Sequence, residues 1–302
     1  MPNEELKKQF KLRDKVVRAI SKDKTIRIAV VKNTNTAKEA QERHNLDFVS
    51  ATLLSRAMAG ATLVSSFMKG EERIIIQMQG NGPISDIYAE AMNVGEVRGY
   101  VEMSSEINVE AMKSIKDAIG IGLLSVSKVL FDQKDPVKGI VPIIKGDVST
   151  DLANYFTQSE QIPTAMILDV SLSDNGLIRQ SGGIVVQALP GADESTLEML
   201  QNHLKSIDNL CNFFDDEMMP DDILDKLIPI ECDVISTRQT DFFCRCSKDL
   251  FKQRLLTLGV SDLKDMREKN QNELVCRFCN EQYIIEDIDF EELILTSQAS
   301  IN

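Results

Sequence analysis

The chain has 302 residues, with 34 Lys and Arg against 47 Asp and Glu and a net charge of −13 at pH 7. A field of that sign favours solubility and repels phosphate backbones, which argues against general nucleic-acid binding. Hydrophobic residues make up 43% of the chain and aromatic ones only 5%, with no Trp, so the length predicts two or three domains with aliphatic cores.

The N-terminus, "MPNEELKKQFKLRDK", is charged and carries no apolar segment of a secretory signal. Residues 14–34 predict two strands around a turn at Lys22–Lys24. A helical region follows from about Thr36 to Met68. Within it, Phe48 to Met68 is long enough to cross a bilayer, but Arg56 sits mid-stretch among recurring Ser and Thr. A buried helix of small residues is the better reading, and no membrane association is expected. "ERIIIQMQGNGPISDIYAEA" predicts a strand, a turn and a second extended run, and "NVGEVRGYVE" continues that sheet. "NVEAMKSIKDAIG" predicts a helix stopping at Gly120. "GLLSVSKVLFD" and "GIVPIIKG" predict strands, and "STDLANYFTQSEQIPTA" a helix ending before Pro163. A hairpin turned at Asp174-Asn175-Gly176 closes the region. Strands and helices mix without a βαβ rhythm, so residues 1–191 are expected to form an α+β domain.

Residues 192–231 have a different character. Leu197, Leu200, Leu204, Ile207, Cys211 and Phe214 fall on one face at helical spacing. Ser195 and Glu198 suggest a capping box. An acidic run from Asp215 to Lys226, interrupted at Pro220, separates this helix from a second one ending near Ile228. So slight a segment needs a neighbour to lie on, and it is expected to be a docked helical linker.

A third module, 232–302, holds the thiols. Cys244 and Cys246 are two apart, Cys276 and Cys279 three apart, with 29 residues between the pairs. Four thiolates around one Zn²⁺ make a closed tetrahedral site, structural rather than hydrolytic. An iron–sulfur cluster and four buried apolar cysteines are the alternatives, and the first pair does not fit the common ferredoxin spacings. Leu250, Leu255, Leu256, Leu258, Val260, Leu263, Leu274 and Val275 give the module only a thin core, so a metal would hold it together. Cys211 is expected in the apolar stripe. Cys232 stands apart as a spectator or secondary redox partner. A thiol cluster of this kind suits a reducing, cytoplasmic setting.

The Cys-x-Cys … Cys-x-x-Cys order at the end of an acidic chain of this length resembles the redox-regulated heat-shock chaperones of bacteria, the zinc-dependent thirty-three-kilodalton holdases. "GATLVSSFMKGEERIIIQMQGNGP" (60–83), "NVGEVRGY" (93–100), "YFTQSEQIPTA" (155–165) and "GGIVVQALPGA" (182–192) resemble the family in the same order. The likeness spans nearly the whole chain. It implies an α+β domain, a metastable helical linker and a C-terminal module binding one zinc ion through Cys244, Cys246, Cys276 and Cys279 when reduced. It further implies that oxidants link Cys244 to Cys246 and Cys276 to Cys279, that zinc is released, and that the module and linker unfold. The exposed surface then holds unfolding client proteins without ATP, as a homodimer, before handover to ATP-dependent chaperones. On this reading the linker stripe of Leu197, Leu200, Leu204, Ile207 and Phe214 is the client-binding candidate.

A zinc-ribbon nucleic-acid-binding or translation-associated protein is the second reading. Between Cys244 and Cys279 there are eight Lys or Arg against five Asp or Glu, a small excess with few aromatics. A thiol–disulfide oxidoreductase is the third, but such enzymes place Cys-x-x-Cys at a helix start after a strand. His44 and His203 are expected at the surface, and "GNGP" lacks the Lys-Ser/Thr of a phosphate loop. No enzymatic activity is expected.

Overall fold

The structure, a computed structural model, describes residues 13–104, 108, 112, 114–214, 218 and 220–299. It divides into two compact units, one running to Phe243 and one starting at Cys244.

In the first unit, β1 (Lys15–Ser21) and β2 (Ile26–Lys32) form the predicted hairpin, turned with Lys24 at φ 62°. The long predicted helix is two: α1 (Thr34–His44) ends at Asn45 in the left-handed region, and α2 (Phe48–Ser65) restarts after it. Asp47 caps α2, its carboxylate accepting from the amides of Val49 at 2.8 Å and Ser50 at 3.1 Å. Next come β3 (Arg73–Gly80), β4 (Ile84–Met92) and β5 (Glu96–Met103). The helix expected up to Gly120 is only the short α3 (Lys116–Ile119) among the described residues, and positions 109–111 and 113 lie outside them. After it run β6 (Gly122–Val129), β7 (Val137–Pro142), α4 (Val148–Ser159), β8 (Thr164–Leu172) and β9 (Ile178–Ala188). The β8–β9 turn uses Gly176 at φ 77°.

The expected mixed α+β class is what forms. One antiparallel sheet has the order β10-β1-β2-β9-β8, where β10 is Cys232–Gln239, and the other the order β11-β5-β4-β3-β6-β7, where β11 is Asp241–Phe242. α2 packs against strands of both sheets. Of its 18 residues, 16 are buried, which is why it is apolar on every side. It is long and apolar enough to cross a membrane, yet it is a core helix of this unit.

The linker supplies α5 (Glu194–Lys205), a 3₁₀ turn (Leu210–Phe213) and α6 (Pro220–Leu227). The cap of α5 is Asp193, which accepts from the Thr196 amide at 3.1 Å, and the Ser195 hydroxyl bonds to Asp193 rather than boxing with Glu198. Pro220 opens α6 instead of stopping a helix, since the first helical position needs no amide donor. The acids at 215–217 lie outside the described residues.

The third module does not begin at Cys232. Residues Cys232–Gln239 form β10, paired antiparallel with β1 from Ser21↔Cys232 to Lys15↔Gln239. Asp241–Phe242 then forms β11, paired parallel with β5. Strand pairing thus keeps this stretch in the first unit, and the break falls at Phe243/Cys244.

The second unit holds α7 (Lys248–Leu255), α8 (Val260–Glu268), the hairpin β12 (Glu273–Val275) with β13 (Gln282–Ile284), and α9 (Asp287–Ala299). Its core is Leu255, Leu263, Ile285, Phe290 and Leu293, with Leu256, Leu258 and Leu274 packed on it. Leu250 and Val275, expected inside, are exposed. α9, which the cysteine spacing gave no reason to include, supplies Phe290 and Leu293 in their place.

Candidate metal centre and the covered sheet face

Two local structures bring the four thiols together. Cys244 and Cys246 precede α7, which is fixed by Ser247, whose hydroxyl accepts from the Leu250 amide at 3.2 Å. Cys276 and Cys279 sit in the turn of the β12–β13 hairpin. The Cys276 amide donates to Glu281 O at 2.8 Å and the Asn280 amide to Cys276 O at 2.8 Å. Asn280 has φ 57°, a conformation Asn tolerates better than most residues.

The sulfurs converge across the two pairs. Cys244 Sγ lies 3.7 Å from Cys276 Sγ, and Cys246 Sγ 3.3 Å from Cys279 Sγ. All four lie within 4.8 Å of one another, and none is in a disulfide. Sulfurs held 2.3 Å from a tetrahedral ion stand about 3.8 Å apart, so this set fits a zinc-sized cation. The four cysteines could hold a metal ion. Burial pushes the thiols of Cys276 and Cys279 up, so in a bare site these sulfurs favour the neutral form. A divalent cation at their centre is what would make four ionised sulfurs compatible with such crowding.

The unit is also tied by charge. Asp289 pairs with Lys248 at 2.7 Å and Lys252 at 3.0 Å, and its second role is to accept from the Glu286 amide at the start of α9. The hydrogen bond from Lys248 holds the Asp289 carboxyl well below the usual carboxylate range. Tyr283, on β13, places its hydroxyl 3.2 Å from Cys246 Sγ. Sequence reading missed Tyr283, because its contact is with a cysteine 37 residues earlier and no local spacing signals it.

The linker stripe is not free in the first unit. Leu200, Leu204, Cys211 and Phe214 are buried, with Leu197 and Ile207 packed beside them. Together with Leu210, Ile223, Leu224, Leu227 and Ile228 they cover one face of the first sheet, made by Val17, Ala19, Ile26, Ile28, Val30, Ile184 and Val186. Alternate residues of β1, β2 and β9 supply that face, as period-two strands require. His203 is not a simple surface residue: it is half-buried, and its Nε2 donates to Leu227 O at 2.8 Å, tying α5 to α6. His44 is likewise half-buried.

The two remaining thiols lie in this layer. The Cys211 amide donates to Asp169 Oδ2 at 2.9 Å, and its thiol lies 3.5 Å from Gln180 O. Burial and then Asp169 push the Cys211 thiol well up. Burial and the nearby Asp233 and Asp225 push Cys232 up to about 11. Neither belongs to the four-sulfur cluster.

Comparison with known proteins agrees along nearly the whole chain. The sequence model of the Hsp33 protein family matches residues 14–286. The 33 kDa chaperonin of Lactobacillus johnsonii is 33% identical over 291 residues, covering 94% of this chain and 99% of its own. That of Bacillus velezensis is 32% identical over 285 residues, covering 93% and 98%. The crystal structure of the 33 kDa chaperonin, a heat shock protein 33 homolog, from Thermotoga maritima superposes with a TM-score of 0.86 at 30% identity, covering 95% of this chain and 99% of that one.

Proposed function

The chain belongs to the Hsp33 family of chaperones, and we propose that it is an ATP-independent holdase switched on by oxidation. The observation that carries this reading is the covered face of the first sheet. Val17, Ile28, Val30 and Ile184 are fully buried beneath α5, the 3₁₀ turn and α6. α5 has 12 residues and α6 only 8. Helices shorter than about 12–15 residues are marginal in water and stay folded only where they pack. The cover is therefore easy to lose, and losing it exposes a contiguous apolar patch of the kind that binds other proteins.

Cys244, Cys246, Cys276 and Cys279 are the proposed ligands of one zinc ion in the reduced state. Bound zinc supplies the folding free energy that the thin core of the second unit lacks. Oxidation converts ligand sulfurs into disulfides, proposed as Cys244–Cys246 and Cys276–Cys279, and removes them as donors. The second unit then loses its main support. The linker follows, because the chain passes from it to Cys244 through β10 and β11. Unfolding clients bind the sheet face and the linker stripe of Leu197, Leu200, Leu204, Ile207 and Phe214. On this proposal the protein works in the cytoplasm as a binding protein rather than an enzyme. Its active form is a homodimer, and it passes clients to ATP-dependent chaperones. A thiol–disulfide oxidoreductase is disfavoured, because Cys276 and Cys279 occupy a hairpin turn and not a helix start.

The test is light scattering from a thermally unfolding client. The protein is added either reduced and zinc-loaded, or oxidised with peroxide at raised temperature and freed of oxidant. Suppression of scattering by the oxidised form alone supports the switch. Equal suppression by both leaves a chaperone whose metal centre is structural, and suppression by neither removes the holdase reading.

A further inference from the structure

Tyr283 joins the two halves of the four-sulfur cluster. It lies on β13, directly across from Leu274, in the hairpin that carries Cys276 and Cys279. Its ring rests on Phe251 of α7, with centroids 5.3 Å apart and planes tilted by 42°. Its hydroxyl reaches Cys246 Sγ at 3.2 Å, on the other half of the cluster. A ligating Cys246 is a thiolate with no proton to give, so the phenol must be the donor.

From this geometry we infer that Tyr283 is a positioning residue for Cys246, one that holds the sulfur toward the other three and restrains its reaction with oxidant. The inference rests on the metal-centre reading above. A hydrogen bond donated to a thiolate draws electron density from the sulfur, which both fixes its orientation and weakens it as a nucleophile. The reaction it slows is a two-electron one. The Cys246 thiolate attacks hydrogen peroxide, an S–O bond forms as the O–O bond breaks, and hydroxide leaves. A second thiolate then attacks the sulfenic sulfur, the S–S bond forms, and a second hydroxide leaves. Two sulfurs have given two electrons to one peroxide, and two protons from solvent convert the hydroxides to water. Only the first of these steps, at Cys246, is under the direct control of the Tyr283 hydroxyl.

The contact also accounts for an aromatic residue placed beside a core that is aliphatic apart from Phe290 and Met266. Tyr283 lies outside that core and is half-buried at the cluster. Phe would keep the packing on Phe251 and delete the hydroxyl alone, so Tyr283→Phe separates the two contributions.

The experiment uses the full chain, reduced and zinc-loaded, as wild type and Tyr283→Phe. Zinc content is measured first, then affinity by competition with a chromophoric chelator. The rate of Cys246 oxidation by hydrogen peroxide is followed by mass spectrometry, and the sulfur-to-metal charge-transfer band is recorded after exchange into Co²⁺. The variant is expected to bind one zinc, with affinity lower by about tenfold to a hundredfold, to oxidise several-fold faster at Cys246, and to shift the charge-transfer band. Wild type carrying 3-fluorotyrosine, a stronger donor, is expected to oxidise more slowly than unlabelled protein, and this arm holds even if the variant folds poorly. Unchanged rates and an unchanged band in both would overturn the role of Tyr283 while leaving the metal centre in place. A wild type that binds no zinc would overturn the centre and this inference together.

Discussion

The ring of Phe214 lies directly on Gly182: a Cβ added to that glycine would stand 2.4 Å from Phe214 Cε2 and Cζ. Gly182 is on β9, in the covered sheet, and Phe214 ends the 3₁₀ turn of the linker. The missing side chain on the sheet is what lets the linker seat the ring of Phe214, which is 1% exposed. Phe214→Ala should cost the docked linker about 3–5 kcal/mol, through lost burial and the cavity left behind. Cys211, three residues away, is a built-in reporter, since its buried thiol reacts only when the linker lifts. The variant, reduced and zinc-loaded, should label at Cys211 with N-ethylmaleimide much faster than wild type while keeping its far-UV circular dichroism. Equal labelling rates would show that Phe214 does not hold the linker down.

Cys276 is 4% exposed and its sulfur lies within 4.8 Å of those of Cys244, Cys246 and Cys279. In Cys276→Ser the hydroxyl is a poor zinc ligand and leaves three thiolates. Zinc affinity should fall by more than the tenfold to hundredfold that follows from losing one outer hydrogen bond. Because metal binding and folding of a small module are one equilibrium, the amides of Leu263 and Phe290 should also exchange quickly with solvent in the variant, and in wild type treated with a chelator. Full zinc content and protected amides in Cys276→Ser would remove that cysteine from the ligand set.

Asp14 carries a pH dependence in the first unit. It is 1% exposed and caps α1 from outside, accepting from the amides of Asn35 at 3.1 Å and Thr36 at 2.6 Å. Burial outweighs those bonds and the nearby Lys32, and raises the carboxyl from 3.8 to about 6. A folded state that binds its proton more tightly than the unfolded one is favoured at low pH. The contribution is complete below about pH 4 and is lost as pH rises through about 6, for a total of about 3 kcal/mol. Urea midpoints of the wild type should therefore rise between pH 7 and pH 5 relative to Asp14→Asn, which has no proton to release. Parallel midpoints for the two proteins would exclude Asp14 as the source.

The chain showed its chemistry more clearly than its joints. The four cysteines could be read because two short spacings in one small module leave few other arrangements, and the structure brings their sulfurs within 4.8 Å. Leu200 and Leu204 could be read because they share one face of α5, but the helical pattern expected to run on to Phe214 stops at Lys205, and Phe214 reaches the same core from the end of the 3₁₀ turn. The cap of α5 was misplaced because Asp193 and Ser195 compete for the same amides, and local sequence does not rank them. The boundary at Cys232 was misplaced for a different reason. "CDVISTRQ" is a plain strand sequence, and only its pairing with β1, more than 200 residues earlier, assigns it to the first unit. Tyr283 and α9 were overlooked because their roles depend on contacts across the module rather than on periodicity.

That pairing leads to the last prediction, at the corner where the chain leaves one sheet for the other. The Arg238 guanidinium binds both the backbone and side-chain oxygens of Asn93. The Thr240 amide donates to Asp14 O at 3.0 Å, the Asp241 amide to Gly95 O at 3.0 Å, and the Phe243 amide to Val97 O at 2.8 Å. Gly95 is the tightest point: its φ is +101°, and a Cβ there would stand 2.1 Å from Gln239 O. Gly95→Ala therefore adds a clash with the corner to about 1–3 kcal/mol of backbone strain. Gly70→Ala is the control, because Gly70 also has a positive φ, +52°, but nothing within 4 Å of the added carbon. Hydrogen exchange at Asp241 and Phe243 should quicken in Gly95→Ala and not in Gly70→Ala. Since residues 232–243 join the linker to the second unit, Gly95→Ala should also suppress client aggregation in part while still reduced and zinc-loaded. If both variants exchange alike at Asp241 and Phe243, the corner is held by its hydrogen bonds alone and the close approach at Gly95 is incidental.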